Sequence, residues 1–224
     1  MDGGEPMEGI MNKFDTLLKI LALSAVVLFI NGMSLQVLAQ TDKGIELYNS
    51  WEYEKAEKAF RKVLMQEPND AQAGYYLGLS LLMQGKYKEA LDILQNVKAS
   101  EEAGLLNKGQ LEISLTRAYL GLERYPEALE CLKAAERAKA NPVDIHTFRG
   151  AYYLKEVGVD EAAKELEKAI ALGSQNAYTY YYAGFAYLRL GNPAKAVQMF
   201  QEFLRLSPYA PEAANAKFLV DSLC

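Results

Sequence analysis

Five alanines recur along this chain at a nearly constant interval, and that interval leaves few folds open. Ala56, Ala90, Ala128, Ala162 and Ala196 stand in YEKAEKAF, YKEALDIL, YPEALECL, VDEAAKEL and PAKAVQMF, separated by 34, 38, 34 and 34 residues. Four residues after each comes Phe60, Leu94, Leu132, Leu166 or Phe200, one turn along the same face of a helix. Twelve positions before each alanine stands Gly44, Gly78, Thr116, Gly150 or Gly184, and three residues beyond those come Leu47, Leu81, Tyr119, Tyr153 and Tyr187. Self-similarity at a period of roughly 20 to 50 residues is the signature of a stacked repeat architecture.

Each unit reads as two amphipathic helices whose small residue sits where the backbones cross, with large residues filling the space beside it. One helix pair cannot bury its apolar faces alone, so the units must stack and the end must be closed by a helix with a polar outer side. SPYAPEAANAKFLVDSL supplies that closing helix, expected to start at Pro211 and to turn Ala214, Phe218, Leu219 and Leu223 toward the last unit.

With these residues in register, the chain resembles a tetratricopeptide-repeat protein. The fifth unit carries the pattern most fully, in Tyr180, Ala183, Gly184, Tyr187, Ala196, Phe200 and Pro208, and the first unit ends in Pro68 in the same way. It departs from the pattern at Thr116, at Glu102, Ala140 and Ser174 where a closing proline is usual, and in a four-residue insertion near GLLNKGQ. The resemblance implies an all-α, right-handed superhelical solenoid of five helix-turn-helix units at about 40–70, 71–104, 109–142, 143–176 and 177–210, capped by a helix at 211–224.

The segment NAYTYYYAGFAYLRLG then reads as one helix with two jobs. Tyr180, Ala183, Gly184 and Tyr187 form a stripe for packing the repeat; Tyr178, Tyr181, Tyr182, Phe185, Leu188 and Arg189 form a second one. The resemblance implies that the second face lines a concave groove, together with Ile45 and Tyr48, with Tyr75, Tyr76, Leu79 and Met83, with Ile113, Arg117 and Leu120, and with Asp144, Thr147, Ala151 and Lys155. Either these rings are free, or neighbouring repeats or the N-terminal segment cover them. If free, Tyr181→Ala costs about 1 kcal/mol or less, against about 3 to 5 kcal/mol for Tyr187→Ala in the core.

An aromatic surface of this kind fits another protein or a peptide with apolar anchors, oriented where an acidic group meets Arg117, Lys155 or Arg189. The clamp with which relatives hold the C-terminal carboxylate of heat-shock proteins is missing, since its positions carry Thr41, Ile45, Tyr76, Gln110 and Ser114. Self-association through the same rings is the competing structural role.

Other function classes are poorly supplied. Half the residues are hydrophobic, and a formal charge of −5 with interspersed signs offers no basic stripe for a nucleic acid. Cys131 and Cys224 make neither a disulfide framework nor a zinc set, and Cys131 reads as a helix-surface thiol. His146, the single histidine, occupies a packing position, and Trp51 reads as a packing residue. No phosphate loop, metal set or nucleophile with its base is present in the sequence, so neither an enzyme nor a cofactor is expected.

The first forty residues are of another kind. Lys13 and Lys19, the low-polarity run from Ile20 to Ile30, and Val37 and Ala39 at small-residue spacing read as a signal peptide over 1–39, with Met11 as the expected true start. Cleavage after Ala39 would export the chain to the periplasm or cell envelope as a secreted protein; retention would anchor it in the inner membrane through residues 17–30. The tail FQEFLRLSPYAPEAANAK also resembles repeats of bacterial envelope proteins of outer-membrane assembly and the Tol-Pal system. The expected role is therefore a protein-binding scaffold, an adaptor or assembly factor of the envelope.

Overall fold

The computed structural model describes residues 37–100 and 107–223. The signal-peptide expectation therefore falls, apart from residues 37–39, outside the described residues, as do Glu102 and most of the insertion. Among the described residues there are helices and no strands: α1 (37–49), α2 (Tyr53–Gln66), α3 (Ala71–Leu82), α4 (Tyr87–Ala99), α5 (Lys108–Gly121), α6 (Tyr125–Arg137), α7 (Pro142–Glu156), α8 (Val159–Ala171), α9 (Ala177–Arg189), α10 (Pro193–Leu206) and α11 (Ala213–Leu223).

The first helix of each of the last four units starts on an Asx cap, because the side chain accepts one of the orphan amide hydrogens of the first turn. Asp70 accepts from Ala73 at 2.9 Å, Asn107 from Gln110 at 3.2 Å, Asn141 from Val143 at 2.9 Å and Asn176 from Tyr178 at 3.0 Å. Pro142 and Pro193 open α7 and α10, where a missing amide hydrogen costs nothing.

The repeat positions form the core of each unit. All five period alanines are fully buried, as are Phe60, Leu94 and Phe200, with Leu166 and Leu132 nearly so. A Cβ built on Gly184 would lie 2.5 Å from Phe200 Cε1, and one on Gly78 2.5 Å from Leu94 Cδ2, so only glycine admits those large neighbours at the crossing. Thr116 fits the same position in the third unit by turning its hydroxyl back onto the Glu112 carbonyl at 2.8 Å.

Within each unit the two helices pack side by side, and successive first helices also meet, α3 with α5, α5 with α7 and α7 with α9. The first helices thus form an inner layer, and their unshared faces turn toward the concave side. The closing helix differs from expectation. It begins at Ala213, not Pro211, and packs through Ala213, Ala216, Leu219 and Val220, while Ala214, Phe218 and Leu223 face outward. Pro211 and Glu212 are spent on a turn that leaves the helix axis and runs onto the concave side.

Candidate functional site

Side chains from α1, α3, α5, α7 and α9 converge on one concave cavity of about 200 Å³. Seven of the residues assigned to the groove from sequence line it: Tyr48, Tyr75, Leu79, Ile113, Arg117, Asp144 and Tyr178. They are joined by Gln110, Ser114 and Asn176, which with Asp144 make a polar set that hydrophobic patterning alone cannot find. Asp144 ties the set together by accepting from Asn176 Nδ2 at 2.7 Å and Gln110 Nε2 at 3.3 Å. Tyr48 packs edge-on against Tyr53 and Tyr76, and its burial pushes the phenol up to about 12.

Arg117 is the centre of this face. Its guanidinium lies 4.0 Å over the Tyr178 ring, donates to the Tyr178 hydroxyl, and reaches Met83 Sδ at 3.2 Å and the Leu82 carbonyl at 3.3 Å. Its Nε is buried with no hydrogen-bond partner, and no carboxylate among the described residues bonds the group directly. Burial works against the charge, yet the surrounding phenols and the Glu212 carboxylate hold its pKa above the ordinary arginine value.

Glu212 reaches the concave side from the turn between α10 and α11. Its two oxygens accept from the Tyr87 and Tyr178 hydroxyls, each at 2.8 Å. Burial and this carboxylate push both phenols, and that of Tyr182, well above the usual range, so all three stay protonated donors. On the same turn, Pro211 lies against Gly85, and Tyr209 packs on Trp51 with ring centroids 5.6 Å apart. A larger cleft of about 730 Å³ runs beside this contact, walled by Trp51, Tyr53, Met83, Lys86, Tyr209 and Pro211 among others.

The remaining groove residues scatter. Tyr181 and Phe185, expected on a free face, pack with each other at 5.0 Å and onto α10, Tyr181 against Phe203 at 5.0 Å and Phe185 against Phe200 at 5.2 Å. Their α10 partners are fully buried phenylalanines, and burying ring against ring outweighs leaving both wet. Tyr182 meets Phe148, Tyr76 stacks on Phe60, and Met83 is buried. Thr147 and Ala151 are buried too, Thr147 through a hydroxyl bond to Thr179 at 2.6 Å. Lys155 and Arg189 are exposed, with Arg189 donating to the Leu154 carbonyl.

Three other residues also change or keep their roles. Cys131 is buried in α6, not on a helix surface, and its thiol is pushed up to about 12 by burial and by Glu112. Trp51 is 46% exposed, so it is no core residue. His146 is half-buried with Nδ1 2.8 Å from Glu165 Oε2, the structural environment its position implied. No group of three or more His, Cys, Asp or Glu that could hold a metal occurs among the described residues.

Comparison with known families agrees with this geometry. Residues 115–177 and 177–210 each match a tetratricopeptide-repeat model, and residues 49–135 match the model described as anaphase-promoting complex, cyclosome, subunit 3. The last three units thus match tetratricopeptide-repeat models, and the described chain has the tetratricopeptide-repeat fold. Its fold is similar to that of the tetratricopeptide-repeat protein TTC0263 of Thermus thermophilus, with a TM-score of 0.63 at 23% identity, covering 84% of this chain and 98% of that one. It is also similar to a chain of the Cut9-Hcn1 hetero-tetramer, at TM-score 0.66 and 16% identity over 84% of this chain and 36% of that one. A third similar structure is pilF of Pseudomonas aeruginosa, at TM-score 0.55 and 17% identity over 84% and 88% of the two chains. No curated protein sequence matches the chain.

Proposed function

We propose that this tetratricopeptide-repeat chain is an exported, non-enzymatic adaptor or assembly factor of a bacterial cell envelope that holds a segment of a partner protein on its concave side. The observation that carries the reading is the Arg117 cavity, in which rings, apolar residues and amides from all five units point at one space. Stacked helices hold such a surface ready, so little ordering is lost when a partner docks. One structural relative is a chain that works inside a hetero-tetramer, a role of the same class. Export rests on the character of residues 13–39, and no helix among the described residues is long and apolar enough to cross a membrane.

A crosslinked pull-down from envelope extract, comparing wild type with a folded Arg117→Met variant, tests the reading. Proteins captured by the wild type and lost from the variant support it; an identical set from both sinks the concave side as the binding surface. Export is checked separately by intact mass after cell fractionation, which should give a mature chain starting at Gln40; a full-length chain in the membrane fraction would favour the anchored form. Self-association has one observation in its favour, the 68% exposure of Phe218 on the outer face of α11, and light scattering over a concentration series decides it.

A further inference from the structure

The turn after α10 behaves as a bound peptide would. Residues 207–212 leave the axis of α10 with Ser207 and Ala210 still buried on the fifth unit, and Tyr209, Pro211 and Glu212 touch two other units by side chain, Trp51 of the first and Gly85 and Tyr87 of the second, while Glu212 also holds Tyr178 of the fifth. We propose that this turn is a resident ligand of the concave side, and that the partner segment replacing it carries an acidic residue with an aromatic one three positions before it. The proposal rests on the concave side being the binding surface, and adds what binds there and what must first leave.

Charge complementarity selects the acid. Glu212 is bonded by two neutral phenols, while the cation at the centre of this face, Arg117, sits beside it without bonding it and keeps Nε unused. A carboxylate placed slightly deeper would gain that charged donor, and charge-assisted hydrogen bonds are about twice as strong as neutral ones. A mobile partner segment can reach this position; a turn tethered between two helices is held back from it.

Backbone geometry selects the aromatic contact. Trp51 has φ of +64°, at the turn position where the second and fifth units have Gly85 at +70° and Gly191 at +72° and the third has Glu123 at +57°. A bulky side chain in the left-handed region costs conformational energy, and at Trp51 the ring so placed packs on Tyr209. The turn thus aims a half-exposed indole at the edge of the concave side. The latch has few buried anchors, Ser207 and Ala210 in the turn and Ala216 in α11, and elements with few buried contacts are the ones that open first.

The test uses the full chain and a fluorescein-labelled peptide of residues 206–215, LSPYAPEAAN, with a second peptide in which its glutamate is glutamine. A tethered competitor weakens apparent affinity in proportion to the time it occupies the site. The Tyr209→Ala, Glu212→Ala double variant should therefore bind the acidic peptide at least about tenfold more tightly than wild type. The glutamine peptide should bind the double variant about tenfold more weakly than the acidic one, and Arg117→Met in that background should abolish the difference between peptides. Trp51 is the only tryptophan, so its emission should shift to the red in the double variant and return when peptide is added. Should circular dichroism show the double variant unfolded, Glu212→Gln alone takes its place. Equal binding by wild type and variant, equal binding of the two peptides, a silent Trp51, or a turn exchanged between two copies in a dimer overturns the proposal. Failure of the peptide with an Arg117-dependent pull-down intact removes the resident ligand and leaves the adaptor; loss of both removes both.

Discussion

Arg117 stands over the ring of Tyr178, 61 residues further along the chain, with its guanidinium 4.0 Å from the ring centroid and no carboxylate among the described residues bonded to it. Removing Arg117 spares its desolvation, and an apolar residue of similar length fills the same space, which offsets the lost hydrogen bonds to Tyr178 and the Leu82 carbonyl and the lost attraction of Glu212. Arg117→Met is expected to change stability by about 1 kcal/mol or less, in either direction, while its loss cuts partner capture. Chemical denaturation of the two proteins checks the first half. A loss of about 3 kcal/mol or more would mean that Arg117 is there to hold the fold.

Tyr181 and Tyr187 are both half-buried, so they do not divide into a free ring and a core ring as the sequence pattern expects. Tyr181 is wedged between Phe185 and Phe203, whereas Tyr187 donates to Glu167 at 2.8 Å with Lys195 over its ring. Tyr181→Ala should cost about 3 kcal/mol as a truncation inside a ring cluster, and Tyr187→Ala about 1 to 2 kcal/mol. Thermal melts of both single variants give the order; the reverse order would return Tyr181 to an open groove.

What could be read from sequence follows from what repeats. The period fixes positions whose neighbours are the same in every unit, so Ala56, Phe60, Gly184 and Phe200 were legible from spacing alone. The concave side is made at repeated positions whose residue changes from unit to unit, Leu79, Arg117, Ala151 and Phe185 sharing one of them. Glu212 lies beyond the last repeat, and its partner Tyr87 is 125 residues off; no periodicity joins them. The tyrosines of α9 misled for a related reason. Helical phase separates two stripes, but only the position of Phe200 and Phe203 says which stripe α10 covers. Asn107, Asn141 and Asn176 cap their helices, yet Asn176 also lines the cavity, a second use that a local signal does not carry.

Gly184 separates crowding from backbone strain. A methyl there would meet Phe200 Cε1 at 2.5 Å, on a ring that is itself fully buried. Gly184→Ala is expected to cost about 2 to 3 kcal/mol by overpacking. At Gly173, φ is +75° with nothing within 4 Å of an added Cβ, so Gly173→Ala should cost about 1 kcal/mol from conformation alone. Urea melts of the two variants rank them, and equal costs would deny the tight helix crossing.

Cys131 tests how firmly the third unit is closed. Burial and the Glu112 charge push its thiol up to about 12, and the thiolate is the reactive form. In a Cys224→Ser background at pH 8, Cys131 should react with an aromatic disulfide reagent only as fast as the chain opens. The observed rate should then level off as reagent concentration rises and increase with urea. A rate that keeps climbing linearly with reagent would place the thiol at the surface.

Glu165 sets the acid limit of the fourth unit. Its carboxyl is held down to about 2: burial alone would raise it, and hydrogen bonds from Lys168 at 2.6 Å and His146 at 2.8 Å, with the Arg149 charge, outweigh that. Its folded pKa thus lies below the ordinary 4.5, so the stabilisation is complete above about pH 4.5 and is lost as pH falls through about 2. Glu165→Gln should cost about 2 kcal/mol at pH 7 and almost nothing at pH 2, so that the two stability curves converge in acid. Denaturation series at pH 7, 4 and 2.5 measure this. Parallel curves would show that the carboxylate is no better held in the fold than in the open chain, and the cluster of Lys168, His146 and Arg149 around it would then contribute nothing to stability.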